Sequence, residues 1–274
     1  MPKKKLSNKK TKYQICSKCI MDTSDPFITF DKNGVCNHCH SYKKRLLEDL
    51  HLDKVGQEHL QETISKIKSS KNKSKYDCII GLSGGVDSTY VAYLAKKVFK
   101  LNPLAIHFDN GWNSELAVKN IEKVLKQLDI DLHTEVADWV EFRELQRSFI
   151  EASVVNWEIP TDHAIVAVLY KLAAEHGVKY ILGGGNITSE AIMPFSWSFN
   201  ARDLKHLKAL HRIVSGKRIK KIPTLSIRKF IYFTFIKKIK WFPILNYVNY
   251  SKKDVINILE KDLSWKYYGG KHYE

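Results

Sequence analysis

One run of six residues has the composition of a phosphate-binding loop: Ser83-Gly84-Gly85-Val86-Asp87-Ser88. An apolar segment precedes it and a segment with helical periodicity follows it, which predicts a strand, a glycine turn and a helix. Such a turn directs backbone N–H groups and the positive end of the helix at one point, where an anion can bind. Asp87 beside an anion indicates a magnesium ion or a reacting group. The absence of a closing Gly-Lys-Ser/Thr excludes a Walker loop, and a plain glycine turn is the alternative.

Four cysteines form a second group with chemical meaning. They make two C-x2-C pairs that sixteen residues separate: Cys16, Cys19, Cys36 and Cys39. This spacing is typical of a zinc site, and four thiolates fill a closed tetrahedral shell. Neither His38 nor His40 is then needed as a ligand. Residues 27–35 between the pairs have the pattern of strand, turn and strand. The sequence therefore predicts a zinc ribbon with structural, not catalytic, zinc.

The rest of the chain must position these two groups. Apolar segments at 77–82, 103–109, 131–136 and 178–182 alternate with helical patterns, which predicts a doubly wound parallel sheet, and 178–182 is the last clear strand. A polar helix is predicted from about 41 to 68. We divide the 274 residues into a ribbon module (1–45), a helical linker (46–75), an α/β domain (76–200) and a basic helical region (201–274).

Three polar or glycine-rich segments follow predicted strands and should meet in one crevice at the carboxyl edge of the sheet. They are 83–88, 109–112 and 183–186, which contribute the loop residues, Asp109, Gly184, Gly185 and Asn186. Asp109 could equally be a turn residue. Asp162 and His163 stand at a predicted helix start, where capping by Asp162 is the default interpretation. Glu190 follows the last glycine segment and could face the crevice or solvent.

Charge and hydropathy limit the class of protein. The formal net charge is +16, and residues 202–240 hold thirteen Lys or Arg against the single acid Asp203. Such clustering can serve RNA, anionic lipid or a phosphorylated small substrate, or be a solvated surface. Apolar residues interleave with lysines in 217–240, which suggests membrane contact, although packing on the domain is favoured. With neither a signal peptide nor an apolar run long enough for a bilayer, we expect a cytoplasmic protein.

Taken together, these motifs resemble those of the N-acetyl sugar amidotransferases, a branch of the pyrophosphatase-loop (PP-loop) ATP enzymes. The matching segments are the ribbon with Met21-Asp22-Thr23-Ser24-Asp25-Pro26, the loop 83–88, His107-Phe108-Asp109-Asn110-Gly111-Trp112-Asn113-Ser114, Ile159-Pro160-Thr161-Asp162-His163-Ala164, 183–186 and the closing Tyr268-Gly269-Gly270-Lys271-His272-Tyr273-Glu274. The resemblance implies an adenine-nucleotide α-hydrolase-like fold. Family members usually continue beyond the segment at which this chain ends.

The resemblance also implies an activity. It implies ATP cleavage to AMP and pyrophosphate, with Mg²⁺ at Asp87, and conversion of an acetamido group on a nucleotide-activated sugar into an acetamidino group. Ammonia would come from a separate glutaminase subunit, and the pathway would build lipopolysaccharide, capsule or flagellin glycans. The loop residues with Gly184, Gly185 and Asn186 would bind phosphates, and Asp109 would contact adenosine. Asp162, His163 and Glu190 would lie at the acetamido end, where ammonia needs a proton acceptor.

Two other functions remain open on the sequence. Thiolation of tRNA uses the same loop but needs a reactive cysteine, and only Cys78, in a predicted buried strand, lies outside the zinc pairs. A zinc-ribbon nucleic-acid binder with an inactive nucleotide fold would require loss of Asp87 or Ser88, and both are present. Nucleic acid is therefore not expected as a partner.

Overall fold

A five-stranded parallel sheet forms the centre of the molecule. The computed structural model describes residues 12–70, 74–191, 194, 197, 200–267 and 269; apart from Gly269, the closing motif 268–274 lies outside these residues. The strands are β1 (Cys78–Gly81), β2 (Pro103–Asp109), β3 (Asp131–Val136), β4 (Tyr180–Leu182) and β5 (Lys240–Phe242), in the spatial order β3-β2-β1-β4-β5. All four pairings are parallel. The predicted doubly wound sheet is confirmed.

Helices cover both faces of this sheet. They are α1 (Asn37–Asp49), α2 (Lys54–Ser69), α3 (Val86–Tyr93), α4 (Glu115–Leu128), α5 (Trp139–Glu151), α6 (Ile159–Glu175), α7 (Ile187–Glu190), α8 (Leu204–Ser215), α9 (Ile227–Ile231) and α10 (Lys252–Leu263). Side chains of β1 alternate between two apolar clusters: Cys78 and Ile80 pack with α2, α3, α4 and α10, while Ile79 packs with α5, α6 and α8. Both faces of the central strand are therefore buried, as parallel strands require.

The sequence predicted one helix over 41–68, whereas the structure has two. The chain forms α1 and α2 with a break between them, because Asp53 caps α2 by accepting a hydrogen bond from the Gly56 N–H at 2.8 Å. A side chain at Gly56 would collide with the His51 carbonyl. The inner face of α2 contributes Leu60 and Ile67, both at most 2% exposed, to the sheet core. The predicted helical linker thus contains a core helix.

A fifth strand was not predicted. It is β5, a three-residue strand in which only Phe242 is buried, so it carries no run of apolar residues. It pairs with β4 and extends the sheet, and a turn of 3₁₀ helix (Ile244–Tyr247) and α10 then return across the first apolar cluster. Residues beyond 200 therefore share the core of the α/β domain. The described helices include none that is both long and apolar enough to traverse a bilayer.

The ribbon is held by turns more than by strands. The predicted strand-turn-strand over 27–35 is reduced to one isolated bridge, Phe30 with Cys36, and a second bridge joins Ile15 to Asp22. Gly34 has a φ of 74°, which lets the chain reverse before the second cysteine pair. With so little regular structure and only a small apolar cluster of its own, the ribbon needs a further source of stability.

Candidate active site

The predicted crevice lies where the strand order reverses. From β1 the chain first moves to β2 and β3, and it later returns to place β4 on the other side of β1. The loops that follow β1 and β4 therefore separate and leave a gap at the carboxyl edge, the usual ligand site of doubly wound sheets. A cavity of about 230 Å³ occupies this gap, with Ser83, Ser88 and Gly184 in its wall and the ring of Trp241 beside them.

The glycine loop is preorganised by its own contacts. Gly84 has a φ of 82°, and a Cβ there would lie 2.6 Å from the Ala117 carbonyl oxygen, so only glycine fits. The Ser83 and Ser88 hydroxyl oxygens are 3.1 Å apart, and the Ser88 hydroxyl donates to the Gly85 carbonyl at 3.2 Å. Helix α3 begins at Val86, inside the loop and three residues before the segment in which the helix was predicted. The first N–H groups of α3 and two hydroxyls thus face one point, which suits a phosphate.

Two residues from the far end of the chain hold this loop. The Trp265 indole N–H donates to the Gly84 carbonyl at 2.9 Å, and Trp265 is 1% exposed. The Tyr250 hydroxyl donates to a carboxylate oxygen of Asp87, and burial first, then this hydrogen bond, raises the pKa of Tyr250. Sequence reasoning missed both residues, because no local pattern links positions 163 and 181 residues apart.

The end of β2 contributes a hydrogen-bonded turn. Asp109 accepts from the Gly111 N–H and from the Asn113 side-chain amide, each at 2.9 Å, so it has the turn role that the sequence left open. The Asn113 amide also lies 3.1 Å from Nε2 of His107, whose Nδ1 donates to the Leu82 carbonyl at 2.9 Å. His107 and Asn113 line the cavity. Both stood in a matching motif, but sequence reasoning did not assign them to the site.

Two acidic residues, Asp162 and Glu190, interact near the glycine segment 183–186. Helix α6 begins at Ile159, so Asp162 lies in its first turn and does not cap it. Partial removal of water, followed by the negative charges of Glu158 and Glu190, raises the pKa of Asp162 to about 6. Glu190 accepts a hydrogen bond from the Asn186 N–H at 3.3 Å, which directs its carboxylate toward Gly185. Asp162 and Glu190 are therefore close enough to influence one another.

The amide of Asn186 has one free donor group. Its oxygen caps α7 by accepting from the Ser189 N–H at 2.9 Å and from the Thr188 hydroxyl at 2.7 Å. Its Nδ2 is buried and meets no acceptor within the described part of the chain. A buried N–H without an acceptor is costly. Asn186 thus retains an unused donor group, and its role in ligand binding stays a prediction.

His163 does not have the predicted chemistry. Its Nδ1 donates to the Ala201 carbonyl at 2.7 Å, and its Nε2 accepts from the Leu225 N–H at 3.1 Å. The side chain is 1% exposed, and burial lowers its pKa, so the ring is neutral with both nitrogens occupied. This geometry contradicts the prediction that His163 accepts a proton from ammonia. His163 instead ties the 201 and 225 segments to α6.

The four ribbon cysteines form one cluster, with all their sulfur atoms within 4.8 Å of one another. The sulfurs of Cys16 and Cys39 are 3.9 Å apart, and those of Cys19 and Cys36 are 3.7 Å apart. In a tetrahedral site with Zn–S bonds of about 2.3 Å the sulfurs lie about 3.8 Å apart. The cluster therefore fits zinc.

Neighbouring residues complete this ribbon site. The Cys36 N–H donates to the Cys16 sulfur at 3.2 Å, which favours the thiolate that a metal needs. Both ribbon histidines contact carboxylates, His38 with Asp25 at 2.6 Å and His40 with Asp31 at 3.0 Å. As predicted, neither histidine belongs to the cysteine cluster.

The ribbon contacts the crevice through α1. This helix begins at Asn37, inside the second cysteine pair, and packs against α7. The Tyr42 hydroxyl donates to the Thr188 carbonyl at 3.0 Å, and Arg45 reaches the Ala191 carbonyl at 3.5 Å. The ribbon thus supports the short helix that carries Glu190.

The fifth cysteine has no reactive environment. Cys78 is fully buried in β1, and its burial, followed by the charge of Asp77, raises the pKa of its thiol. A protonated, inaccessible thiol is a poor nucleophile.

Comparison with known proteins identifies a matching protein family. The family model described as NAD synthase matches residues 57–213, more than half of the chain. An uncharacterized protein of Methanocaldococcus jannaschii is 27% identical over 173 residues, which are 62% of this chain. The chain spans only 58% of the length of that relative.

Three solved structures show low similarity. The NH3-dependent NAD synthetase from Campylobacter jejuni, in complex with nitrate, is 18% identical with a TM-score of 0.38, covering 76% of this chain and 93% of that one. NMN synthetase from Francisella tularensis is 15% identical with a TM-score of 0.36, covering 68% and 97%. A predicted subunit of tRNA methyltransferase from M. jannaschii is 16% identical with a TM-score of 0.37, covering 67% and 75%. Similarity at this level does not bear on function.

Proposed function

Because the chain belongs to the NAD synthase family of ATP-utilising PP-loop enzymes, we propose that it adenylates an amide oxygen and replaces it with ammonia nitrogen. The proposed substrate is a nucleotide-activated N-acetylated sugar, whose acetamido group becomes acetamidino in surface-glycan biosynthesis. A separate glutaminase subunit supplies the ammonia. The observation that carries this proposal is the charge interaction of Asp162 with Glu190, whose carboxylate approaches Gly185 in the glycine segment 183–186, since a carboxylate with a pKa near 6 suits a proton acceptor for ammonia chemistry.

The first step activates a poor electrophile. The acetamido oxygen attacks the α-phosphorus of ATP, the bond from that phosphorus to the bridging oxygen breaks, and pyrophosphate leaves with its electrons. The product is an O-adenylyl imidate. The N–H groups at the start of α3 and the hydroxyls of Ser83 and Ser88 stabilise charge on the departing pyrophosphate. The Asn186 amide donates to the nucleotide from the opposite loop.

Asp87 has the chemistry to hold magnesium when ATP binds. It extends from the first turn of α3, and its hydrogen bond from Tyr250 leaves the second carboxylate oxygen for a cation. Mg²⁺ prefers such sites, with one carboxylate, phosphate oxygens and water. The ion would neutralise phosphate charge. Tyr250 fixes the orientation of the carboxylate.

The second step forms the new C–N bond. Ammonia adds to the imidate carbon, a proton passes from nitrogen to the carboxylate of Asp162, and AMP leaves with the former amide oxygen. Asp162 is ionised above its pKa of about 6 and can accept this proton at neutral pH. Burial first, and then the negative charges of Glu158 and Glu190, keep that pKa raised. His163 takes no part, because both of its ring nitrogens are engaged.

The buried thiol of Cys78 disfavours tRNA thiolation, which needs a sulfur carrier near ATP. The basic surface has a simpler role in the proposed reaction, since it attracts an anionic nucleotide sugar.

The test is a substrate panel with purified chain, MgATP and ammonium chloride. The candidates are N-acetylated nucleotide sugars, an unfractionated tRNA sample and a carboxylate-bearing dinucleotide, which the name NAD synthase suggests as a substrate. We expect AMP, pyrophosphate and a sugar product in which NH replaces O by mass spectrometry. Glutamine should not replace ammonium until a glutaminase is added, because Cys78 is buried with a raised pKa and the other four cysteines form the metal cluster. Conversion of the dinucleotide or the tRNA, with no sugar modified, would refute the proposal.

A further inference from the structure

The helix that begins with α9 has an apolar face that nothing in the described chain covers. A π-helical turn (Tyr232–Ile236) continues α9 without a break. Its exposed apolar side chains form a stripe at intervals of four and five residues, with exposed fractions between 44% and 71%: Ile227, Ile231, Tyr232, Phe235 and Ile236. We call this the α9 stripe. Contiguous apolar surface of this kind marks an interaction site.

The same helix is anchored to the protein by its opposite face. Phe230 and Phe233 pack against Tyr170 of α6, at ring-centroid distances of 5.4 and 6.2 Å. Ile239 follows at 1% exposure, and its N–H donates to the Phe233 carbonyl at 3.0 Å. The domain therefore fixes the helix through two aromatic residues and leaves the α9 stripe outward. The favoured expectation, that the segment packs on the domain, describes only this inner face.

Cations surround the α9 stripe. Five exposed basic residues flank it: Arg228, Lys229, Lys237, Lys238 and Lys240. None of the five forms an ion pair within the described residues, in contrast to Lys217 and Lys221, which pair with Glu144 and Asp138. The sequence contains no Asp or Glu between Asp203 and Asp254. The rim is therefore positive without local compensation.

We propose that the α9 stripe and its rim bind the surface of an anionic lipid bilayer. An apolar stripe inserts at the headgroup boundary while surrounding Lys and Arg contact lipid phosphates, as in interfacial amphipathic helices. Tyr232 suits the same depth, because amphipathic rings favour the bilayer interface. A second copy of this chain is a poor occupant, since it would bring two positive rims together. Anionic lipid headgroups supply the negative surface that complements the positive rim.

A cation-lined cavity continues the surface at one end of the helix. It has a volume of about 710 Å³, and Ile227, Arg228 and Phe230 form one wall. Arg202, Lys205 and Lys208 add positive charge from α8 and the segment before it, and they outnumber Asp203, the single acidic residue of the wall. Phosphate headgroups approaching the stripe would therefore meet further cations at this end.

The test is sedimentation of the purified chain with vesicles. We expect binding to phosphatidylcholine vesicles containing phosphatidylglycerol, weakening with salt, and little binding to phosphatidylcholine alone. F235S/I236S should weaken binding about tenfold or more, because two apolar side chains no longer insert. K237Q/K238Q should weaken vesicle binding about 25-fold, because the attraction of each lysine to anionic headgroups is worth about a fivefold change in affinity. L47S/V55S, which removes two exposed apolar residues of α1 and of the N-terminus of α2, should bind like the parent.

Several results would overturn the proposal. Equal binding by the parent and F235S/I236S would remove the role of the stripe, and absence of parental binding to anionic vesicles would remove the proposal entirely. Loss of a dimer in F235S/I236S, seen by light scattering, would make the stripe a contact between copies. Circular dichroism checks that each variant folds, and I227S/I231S replaces any variant that does not. The readout is independent of catalysis, since none of these residues lines the crevice.

Discussion

Replacing Asp162 with Asn should make the protein more stable and less active. The carboxylate of Asp162 has an ordinary pKa of 3.8 when the chain is unfolded and a pKa of about 6 in the folded protein. Between these pH values the unfolded chain has lost the proton and the folded chain retains it. Stability therefore falls as pH rises through this window, and the full cost is present above pH 6. Asn carries no charge and avoids this cost.

The magnitude follows from the two pKa values. Each pH unit between them corresponds to about 1.4 kcal/mol, which gives at most about 3 kcal/mol at neutral pH. Asp162 loses part of its hydration but keeps enough accessible surface that solvent screens part of this energy. We therefore expect D162N to raise the free energy of unfolding by about 1–2 kcal/mol at pH 7.5. At pH 4 the gain should vanish, because the folded parent then carries a neutral Asp162.

Urea unfolding at the two pH values measures this gain, and the acetamidino assay measures its functional cost. D162N should slow product formation about 100-fold, the typical contribution of a positioned proton acceptor. E122Q, which neutralises an exposed carboxylate on α4, is the control and should change neither quantity appreciably. A gain in stability that persists unchanged at pH 4 would refute the electrostatic reasoning. So would a D162N variant no more stable than the parent at pH 7.5.

Three further predictions concern the metal site, the phosphate loop and its distant support. C36S should lose zinc by elemental analysis and unfold at lower temperature, whereas C78A keeps one zinc per chain; equal zinc in C36S and the parent would contradict the assignment. D87N should fold normally but release pyrophosphate about 100-fold more slowly, and ADP as the main product from the parent would exclude the proposed cleavage. W265F should lower the free energy of unfolding by about 1–3 kcal/mol, because the buried Gly84 carbonyl loses its donor, and should raise the KM for ATP. An unchanged KM would show that the loop holds its shape without this bond.

Sequence patterns predicted the elements that rest on local signals. The apolar segment that ends in the glycine turn at 83–88 contains β1, and the helical segment after it contains the end of α3. β5 escaped detection because Lys240 and Trp241 are exposed, so no apolar run marks it. The start of α6 was misjudged because Pro160 occupies its first turn and no side chain caps it.

Site residues could be predicted from the sequence only where they belong to one local turn. Ser83 to Ser88 lie at the crevice because the strand and helix that flank them leave no other place. The role of His163 could not be inferred, since its partners at 201 and 225 come from a region without strong pattern. For Asp162, the sequence offered a helix cap, whereas its raised pKa depends first on burial and then on the charges of Glu158 and Glu190. Tertiary structure alone sets the burial and the position of Glu190.

The contacts of Trp265 and Tyr250 with the phosphate loop affect the order of events during synthesis. The loop leaves the ribosome early, yet its partners follow 163 and 181 residues later. A nascent chain that has exposed β1 through β4 therefore lacks the groups that fix Gly84 and Asp87. Since chains begin to fold from the N-terminus during translation, the nucleotide loop is among the first parts made and among the last completed. A chain that ended before Tyr250 would thus present a phosphate loop without these two supports.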